Sequence, residues 1–129
     1  MRRLVIVIVL AAILVAAAIV EQRAIMGAYD RLGRDNEALI STIRGQEKVD
    51  TPENIKLINH MYDYWQRNER RLSMITRHFD LAQVSTNIIY AKNFIEFDNK
   101  EEAMVGLLQT RYLIRVHTFN AGTHIQNVI

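Results

Sequence analysis

No cysteine occurs among the 129 residues, and the chain has only one proline and five glycines. The lack of cysteine excludes disulfides, a thiolate nucleophile, zinc–cysteine sites, iron–sulfur clusters and covalent haem attachment. Motifs that carry chemistry are missing as well. There is no GxSxG or SxxK nucleophile motif, and no GxGxxG or GxxxxGK(S/T) phosphate loop. A chain of this length is expected to form a single domain.

The four histidines and the acidic turn also lack the spacing of a metal site. HExxH is absent, and so are the Glu-x-x-His pairs of a di-iron bundle, because an apolar residue stands three positions before each histidine. The turn that contains Asp98 and Glu101 has neither the glycine nor the alternating ligands of an EF-hand calcium loop. We therefore predict a protein that is not an enzyme and has no catalytic residue, no metal site and no cofactor.

Charge gives no indication of a nucleic-acid partner. The chain has 16 basic and 14 acidic residues, which gives a net charge of +2. Two of the basic residues, Arg2 and Arg3, precede an apolar segment, so the rest of the chain is balanced in charge. Nothing resembles a nucleic-acid recognition motif, and we expect no binding to DNA or RNA.

Residues 4–20 form an unbroken run of 17 uncharged apolar residues, LVIVIVLAAILVAAAIV. As a helix this run is about 25 Å long, close to the lower limit for crossing a hydrocarbon core about 30 Å thick. Arg2 and Arg3 can extend their side chains to the headgroups. Because basic flanks stay in the cytoplasm, we predict a single-pass anchor over residues 1–20 in the cell membrane, with lipid around it and residues 21–129 outside the cytoplasm.

A cleaved signal peptide is the alternative interpretation of the same segment. The small residues Ala16, Ala17 and Ala18 resemble a cleavage site. However, the apolar run continues through Ile19 and Val20, and the helical periodicity carries on into the following segment. We therefore favour an anchor that is retained.

The segment after the anchor has the spacing of a coiled-coil helix. Apolar residues alternate at intervals of four and three residues, with one asparagine at a seam position. A polar residue at such a position fixes register or oligomeric state at some cost in stability. We predict a helix over about residues 21–48 that continues the anchor and self-associates through this seam. The seam residues are Ile25, Tyr29, Leu32, Asn36, Leu39 and Ile43.

The second helix is predicted over residues 52–97, with Thr51 as its N-cap and Pro52 in its first turn. After Phe79 the apolar positions move well over 100° round the helix axis. Since no glycine or proline stands between residues 71 and 98, we favour one long helix that faces two partners in turn. A kink near residues 78–80 is the alternative.

The third helix is predicted over residues 99–121, where Asp98 and Glu101 have the form of a capping box and Gly122 ends the helix. Short connections between helices make them antiparallel neighbours. The predicted fold class is all-α: an N-terminal anchor helix followed by an elongated antiparallel bundle of three, or of four, helices. The apolar positions of the third helix are Ala103, Leu107, Ile114 and Ala121, flanked by Leu108, Tyr112, Val116 and Phe119.

Several features together extend over nearly the whole chain. They are the anchor, the coiled-coil helix, Trp65 followed by Leu72 and His78, the acid-rich turn of residues 98–103, and the ending Asn127-Val128-Ile129. In these features the chain resembles small bacterial membrane-anchored helical proteins, the domain-of-unknown-function family four-three-six-three. The resemblance implies an extracytoplasmic helical domain on a signal anchor. It implies no assigned activity, so no catalytic residue is carried over.

One charged pattern stands out on the second helix, opposite its apolar positions. Arg67, Arg70, Arg71 and Arg77 fall within an arc of about 120°. Outside a membrane such arginines could hold an anionic polymer, a lipid headgroup or an acidic partner through bidentate contacts. A plain solvated face is the alternative, since Asp63 stands four residues before Arg67 in the favourable orientation.

These patterns together favour a non-enzymatic, membrane-anchored interaction or structural protein that self-associates or binds another envelope protein. The alternative is an extracytoplasmic bundle that senses a ligand or binds an anion or envelope polymer, and acts through a partner. A coiled-coil assembly stalk fits less well, because the capped turns fold the chain back on itself.

Overall fold

The computed structural model describes the backbone of residues 1–72 and 78–128, and the side chains of residues 1–72 and 80–119. Within these ranges the chain forms four helices and no strand. The all-α fold class that the sequence predicted is therefore confirmed. The helices are α1 (Arg2–Arg44), α2 (Pro52–Leu72), α3 (His78–Glu96) and α4 (Lys100–Val128).

The four helices form an antiparallel bundle in which each helix packs against two others. α1 lies between α2 and α4, and α3 lies on the opposite side between the same two helices. At one end the ring of Tyr29 lies 5.1 Å from that of Trp65 and 5.6 Å from that of His117. At the other end Lys100 donates to the carbonyl of Arg44. This order is the up-down-up-down arrangement of a four-helix bundle.

α1 is one continuous helix of 43 residues, as predicted, and its two halves have different surroundings. Residues 1–21 are all exposed, whereas the helix after them is one of the four helices that form the bundle core. By length and composition α1 is able to cross a membrane. It ends at Arg44, somewhat before the predicted residue 48, and Gly45 follows as its C-cap.

The prediction of one long helix over residues 52–97 is wrong. α3 runs back alongside α2, since the indole Nε1 of Trp65 donates to the carbonyl of Leu81 at 3.1 Å. In one straight helix these two residues would be about 24 Å apart along the axis. The change of apolar face after Phe79 marked a new helix, but no glycine or proline indicated the boundary. The side chain of Phe79 lies outside the described residues.

The core runs along the axis of the bundle, with Trp65 wholly buried near one end. Asn36 is one of four buried polar residues in the part of the chain that the structure describes, with Asn54, Ser85 and Thr110, and its amide donates to the carbonyl of Leu107 at 2.9 Å. Burying the apolar side chains supplies most of the stability of such a fold. The largest apolar core side chains are Trp65, Leu32, Leu39, Ile40, Ile43, Ile58, Met61, Leu81, Ile88, Ile95, Leu107 and Val49.

Gly106 allows α3 and α4 to approach closely. A Cβ atom at this position would lie 2.9 Å from the backbone nitrogen of Ala91 and 3.0 Å from its Cβ. It would also lie 3.0 Å from a ring carbon of Tyr90. Because the nearest of these atoms belongs to the backbone, the helices would have to separate to admit a methyl group.

We therefore expect Gly106→Ala to lower the free energy of unfolding by about 1–2 kcal/mol, because overpacking outweighs the better helix propensity of alanine. Gly27→Ala is the matched control, since nothing lies within 4 Å of a Cβ at that position. It should raise the free energy of unfolding by about 0.5–1 kcal/mol. Denaturation followed by circular dichroism in detergent measures both. Equal effects of the two substitutions would contradict the close approach of the helices.

The connection between α3 and α4 has the hydrogen bonds of a Schellman motif. The N–H of Asn99 donates to Phe94 O at 2.8 Å and that of Asp98 to Ile95 O at 3.1 Å. Asp98 takes the left-handed conformation, with φ of 54°, at the position that glycine usually holds. The N-cap of α4 is Asn99, whose Oδ1 accepts from the N–H of Glu102 at 3.2 Å. The predicted N-cap, Asp98, is therefore wrong by one residue.

The other predicted helix ends have mixed outcomes. Thr51 is the N-cap of α2, because its Oγ1 accepts from the N–H of Asn54 at 3.2 Å. The predicted end of the last helix at Gly122 is wrong, since α4 continues to Val128. An isolated glycine is tolerated inside a helix, so Gly122 does not by itself end α4.

Asp98 and Lys100 tie the two connections at this end of the bundle together. The carboxylate Oδ1 of Asp98 accepts from the N–H of Val49 at 2.7 Å. Nζ of Lys100 donates to the carbonyls of Arg44 at 3.1 Å and Gln46 at 2.7 Å. These contacts fix the α1–α2 connection against the α3–α4 connection.

Asp98→Ala should lower the free energy of unfolding by about 2 kcal/mol, since it loses the hydrogen bond to Val49 and strains the left-handed backbone. Asp98→Asn keeps an oxygen acceptor and tolerates this conformation, so we expect a change within about 0.5 kcal/mol. The same denaturation measurement compares the two variants. A loss of equal size in both would show that the charge of Asp98, and not its geometry, stabilises the turn.

Candidate functional site

The predicted seam of α1 is buried inside the bundle of the chain itself. Tyr29, Leu32, Asn36, Leu39 and Ile43 are buried, with exposed fractions of 0–3%. Ile25, the sixth member, is half-buried and packs against the same core. Asn36 fixes α1 against α4 within one chain through its bond to Leu107. A second copy could reach this seam only if the bundle opened, so self-association needs a different surface.

α4 has a second apolar face on the side away from the core. At 100° per residue, the five residues of this face fall within an arc of about 80°, roughly opposite the buried positions of the same helix. Tyr112 is 67% exposed and Phe119 is 73% exposed. We call this surface the outer face of α4. It consists of Val105, Leu108, Tyr112, Val116 and Phe119.

The sequence pattern did not separate the two faces of α4. It correctly predicted Ala103, Leu107 and Ile114 as core positions, and all three are buried. Ala121 lies outside the described side chains. The same pattern predicted four residues as flanks of this face, Leu108, Tyr112, Val116 and Phe119, and did not include Val105. One observation in the sequence could have separated them: Val105, Tyr112 and Phe119 are seven residues apart, which is the repeat of a coiled-coil seam.

The predicted arginine pattern lies at the end of α2. Arg67, Arg70 and Arg71 are exposed in the last two turns of this helix. Arg77 lies outside the described residues. Because α2 is antiparallel to α1, these turns lie beside the part of α1 that directly follows the apolar run. The sequence predicted that these arginines share one face of the helix. The structure shows where they lie along the axis of the bundle.

A groove of about 500 Å³ between α1 and α4 is a further candidate. Arg34, Arg111 and Arg115 line it together with Asp30 and Glu37. Arg111 donates to both carboxylate oxygens of Glu37, at 2.5 and 2.8 Å. This hydrogen bonding holds the pKa of Glu37 below its ordinary value, so the pair stabilises the fold above the ordinary pKa of a glutamate and less as the pH falls. The groove therefore offers cationic groups around an ion pair.

Buried aromatic rings form a cluster rather than a reactive site. Tyr29 stacks on His117 and packs against Trp65. Burial, with a smaller contribution from Asp80, raises the pKa of Tyr29 well above its ordinary value. The phenol therefore stays neutral at physiological pH. Among the described residues no group of three metal-ligating side chains comes together.

Comparison with known proteins adds no identification. No protein-family model matches the chain, and no curated protein and no solved structure is similar enough to match it.

Proposed function

We propose that this chain is a non-enzymatic, single-pass membrane protein whose bundle lies outside the cytoplasm and mediates protein–protein interaction, with a second copy as its partner. The outer face of α4 is the observation that carries this proposal. The apolar run that begins α1 supports the anchor. The resemblance to family four-three-six-three agrees with an anchored helical domain and stays a prediction.

A bundle helix needs only one apolar face, but α4 has two. Its core face meets α1 and α3, whereas the outer face leaves two aromatic rings mostly in solvent. Each aromatic side chain offers roughly 150–250 Å² of surface for burial. Contiguous exposed apolar surface of this kind marks interaction sites in soluble domains. The outer face therefore favours a packed partner helix.

Membrane anchoring favours a second copy as this partner. Copies that cross one membrane in the same direction present parallel α4 helices, and a two-fold axis along the membrane normal places each residue opposite its counterpart. The seven-residue spacing of Val105, Tyr112 and Phe119 suits such a parallel pair. Anchoring also raises the local concentration, so a modest interface is sufficient.

The absence of cysteine from the native chain makes this proposal directly testable by single substitutions. Tyr112→Cys in the full chain should form a disulfide-linked dimer in native membranes under mild oxidation. Asp63→Cys is the matched control, because this exposed position lies at a similar height on α2, the helix diagonal to α4. We expect Asp63→Cys to give little dimer.

A second substitution tests whether the apolar surface drives this contact. Leu108→Asp in the Tyr112→Cys background places a charge in the interface, and should reduce the dimer roughly tenfold or more. Circular dichroism checks that the bundle remains folded. Equal cross-linking at both cysteine positions, or none at Tyr112→Cys, would contradict self-association through this face.

A second candidate function is an extracytoplasmic bundle that senses a ligand or binds an anionic polymer. The groove between α1 and α4 favours it, because Arg34, Arg111 and Arg115 are among the residues that line it. Thermal unfolding of the full chain in detergent, with inorganic phosphate or small dicarboxylic acids added, tests this function. A ligand at a hundred times its dissociation constant should stabilise the fold by about 2.7 kcal/mol. Arg115→Gln should remove the shift, and the absence of any shift would exclude these ligands.

A further inference from the structure

The end of the bundle that is nearest to the anchor lies close to the membrane surface. The Tyr29–Trp65 contact places these two residues at one height. Tyr29 is nine residues beyond Val20, which is the last apolar residue of the run, or about 13 Å along the helix axis. Arg70 and Arg71 are five and six residues beyond Trp65 along α2, in the direction of the membrane. They therefore lie only about 5 Å above the level of Val20.

This height coincides with the lipid headgroups. A bilayer has about 5–7 Å of polar headgroup region on each side of its hydrocarbon core. The apolar run is about 5 Å shorter than that core, and local thinning of the bilayer accommodates a short span, which brings the headgroup region to the level just beyond Val20. α1 is helical without a break from residue 2 to residue 44, so no flexible linker separates the bundle from the surface.

The charges exposed at this end are mainly positive. Between the Tyr29–Trp65 contact and the anchor, the exposed charged side chains among the described residues are four arginines and one glutamate. Two more acids at this end, Glu69 and Asp80, are half-buried, and Glu69 accepts from the hydroxyl of Ser85 at 2.6 Å, so it is turned toward α3. We call the four arginines the membrane-facing arginines. They are Arg23, Arg67, Arg70 and Arg71, and the glutamate is Glu21.

The opposite end of the bundle has an excess of acidic residues. Its exposed charged side chains, in the ranges that the structure describes, are three basic and five acidic residues. The bundle therefore has a positive end near the anchor and a negative end away from it. The basic residues at the far end are Arg44, Lys48 and Lys56, and the acidic ones are Glu47, Glu53, Glu96, Asp98 and Glu101.

We propose that the membrane-facing arginines bind the phosphate groups of anionic lipids in the leaflet where α1 leaves the membrane. A guanidinium group binds phosphate through two parallel hydrogen bonds, and is less strongly hydrated than an ammonium group. Arg70 and Arg71 also offset the negative end of the α2 dipole, which would otherwise face an anionic surface. The contact holds the bundle upright on the bilayer. It rests on the anchor in the proposed function.

Hydrogen exchange of the full chain in lipid nanodiscs tests this contact. One preparation contains phosphatidylcholine alone, and the other contains about 30% phosphatidylglycerol, which is anionic. Backbone exchange over residues 67–72 should be slower in the anionic discs, by roughly fivefold for each arginine that binds. About 0.5 M salt should remove most of this difference, because it screens exposed charges.

Two matched double variants distinguish the effect of the membrane-facing arginines from the effect of the net charge of the chain. Arg67→Gln with Arg71→Gln removes two positive charges from the membrane-facing end, and should cut the difference between the two lipids by at least fivefold. Lys48→Gln with Lys56→Gln removes two exposed positive charges from the far end and should leave it unchanged. The comparison between lipids cancels any loss of helix stability that is the same in both.

The outcomes distinguish this contact from the proposed function. Exchange that is equal in both lipids, or a difference that persists in the double arginine variant, would overturn the lipid contact alone. The self-association and the anchor would then stand, provided that the chain resists alkaline extraction and cross-links at Tyr112→Cys. Release of the chain by alkaline extraction would overturn both proposals.

Discussion

The continuity of α1 is the constraint on which the rest of the structure depends. Its first half is apolar on every side and exposed, whereas its second half is one of four core helices. A helix that is apolar all round needs lipid or a large core, and the bundle supplies no such core to residues 4–20. Because no break separates the two halves, any membrane that holds the first half also sets the height and direction of the bundle.

A few polar contacts to backbone groups define how the other helices pack onto α1 and onto each other. The amide of Asn36 ties α1 to α4, and the indole of Trp65 ties α2 to the start of α3. Asp98 and Lys100 join the two connections at the far end. Each contact is made to a backbone group, so it fixes the register of one helix against another without requiring a matched side chain. The apolar core supplies the stability, and these bonds select one arrangement.

Helix existence could be predicted from the sequence more easily than helix boundaries or neighbours. Periodicity identified α1 and the core positions of α4, since a buried face repeats with the helical turn. The boundary between α2 and α3 was missed because a change of apolar face has two possible causes. The chain can reverse into a new helix, or one long helix can face two partners in turn. The N-cap of α4 was misplaced by one residue because Asp98 and Asn99 have similar capping chemistry, and only the backbone conformation distinguishes them.

The surfaces that carry the proposals depended on tertiary structure to different extents. The sequence by itself determined the apolar run, the all-helical class, the absence of cysteine chemistry and the grouping of the arginines on α2, because these follow from composition and local spacing. Tertiary structure decided that the seam of α1 is closed within one chain, that the outer face of α4 points away from the core and leaves Tyr112 and Phe119 mostly exposed, and that Arg70 and Arg71 lie near the level of the anchor. The reason is that a helical repeat shows which residues share a face, whereas only the packing of distant segments determines what that face meets.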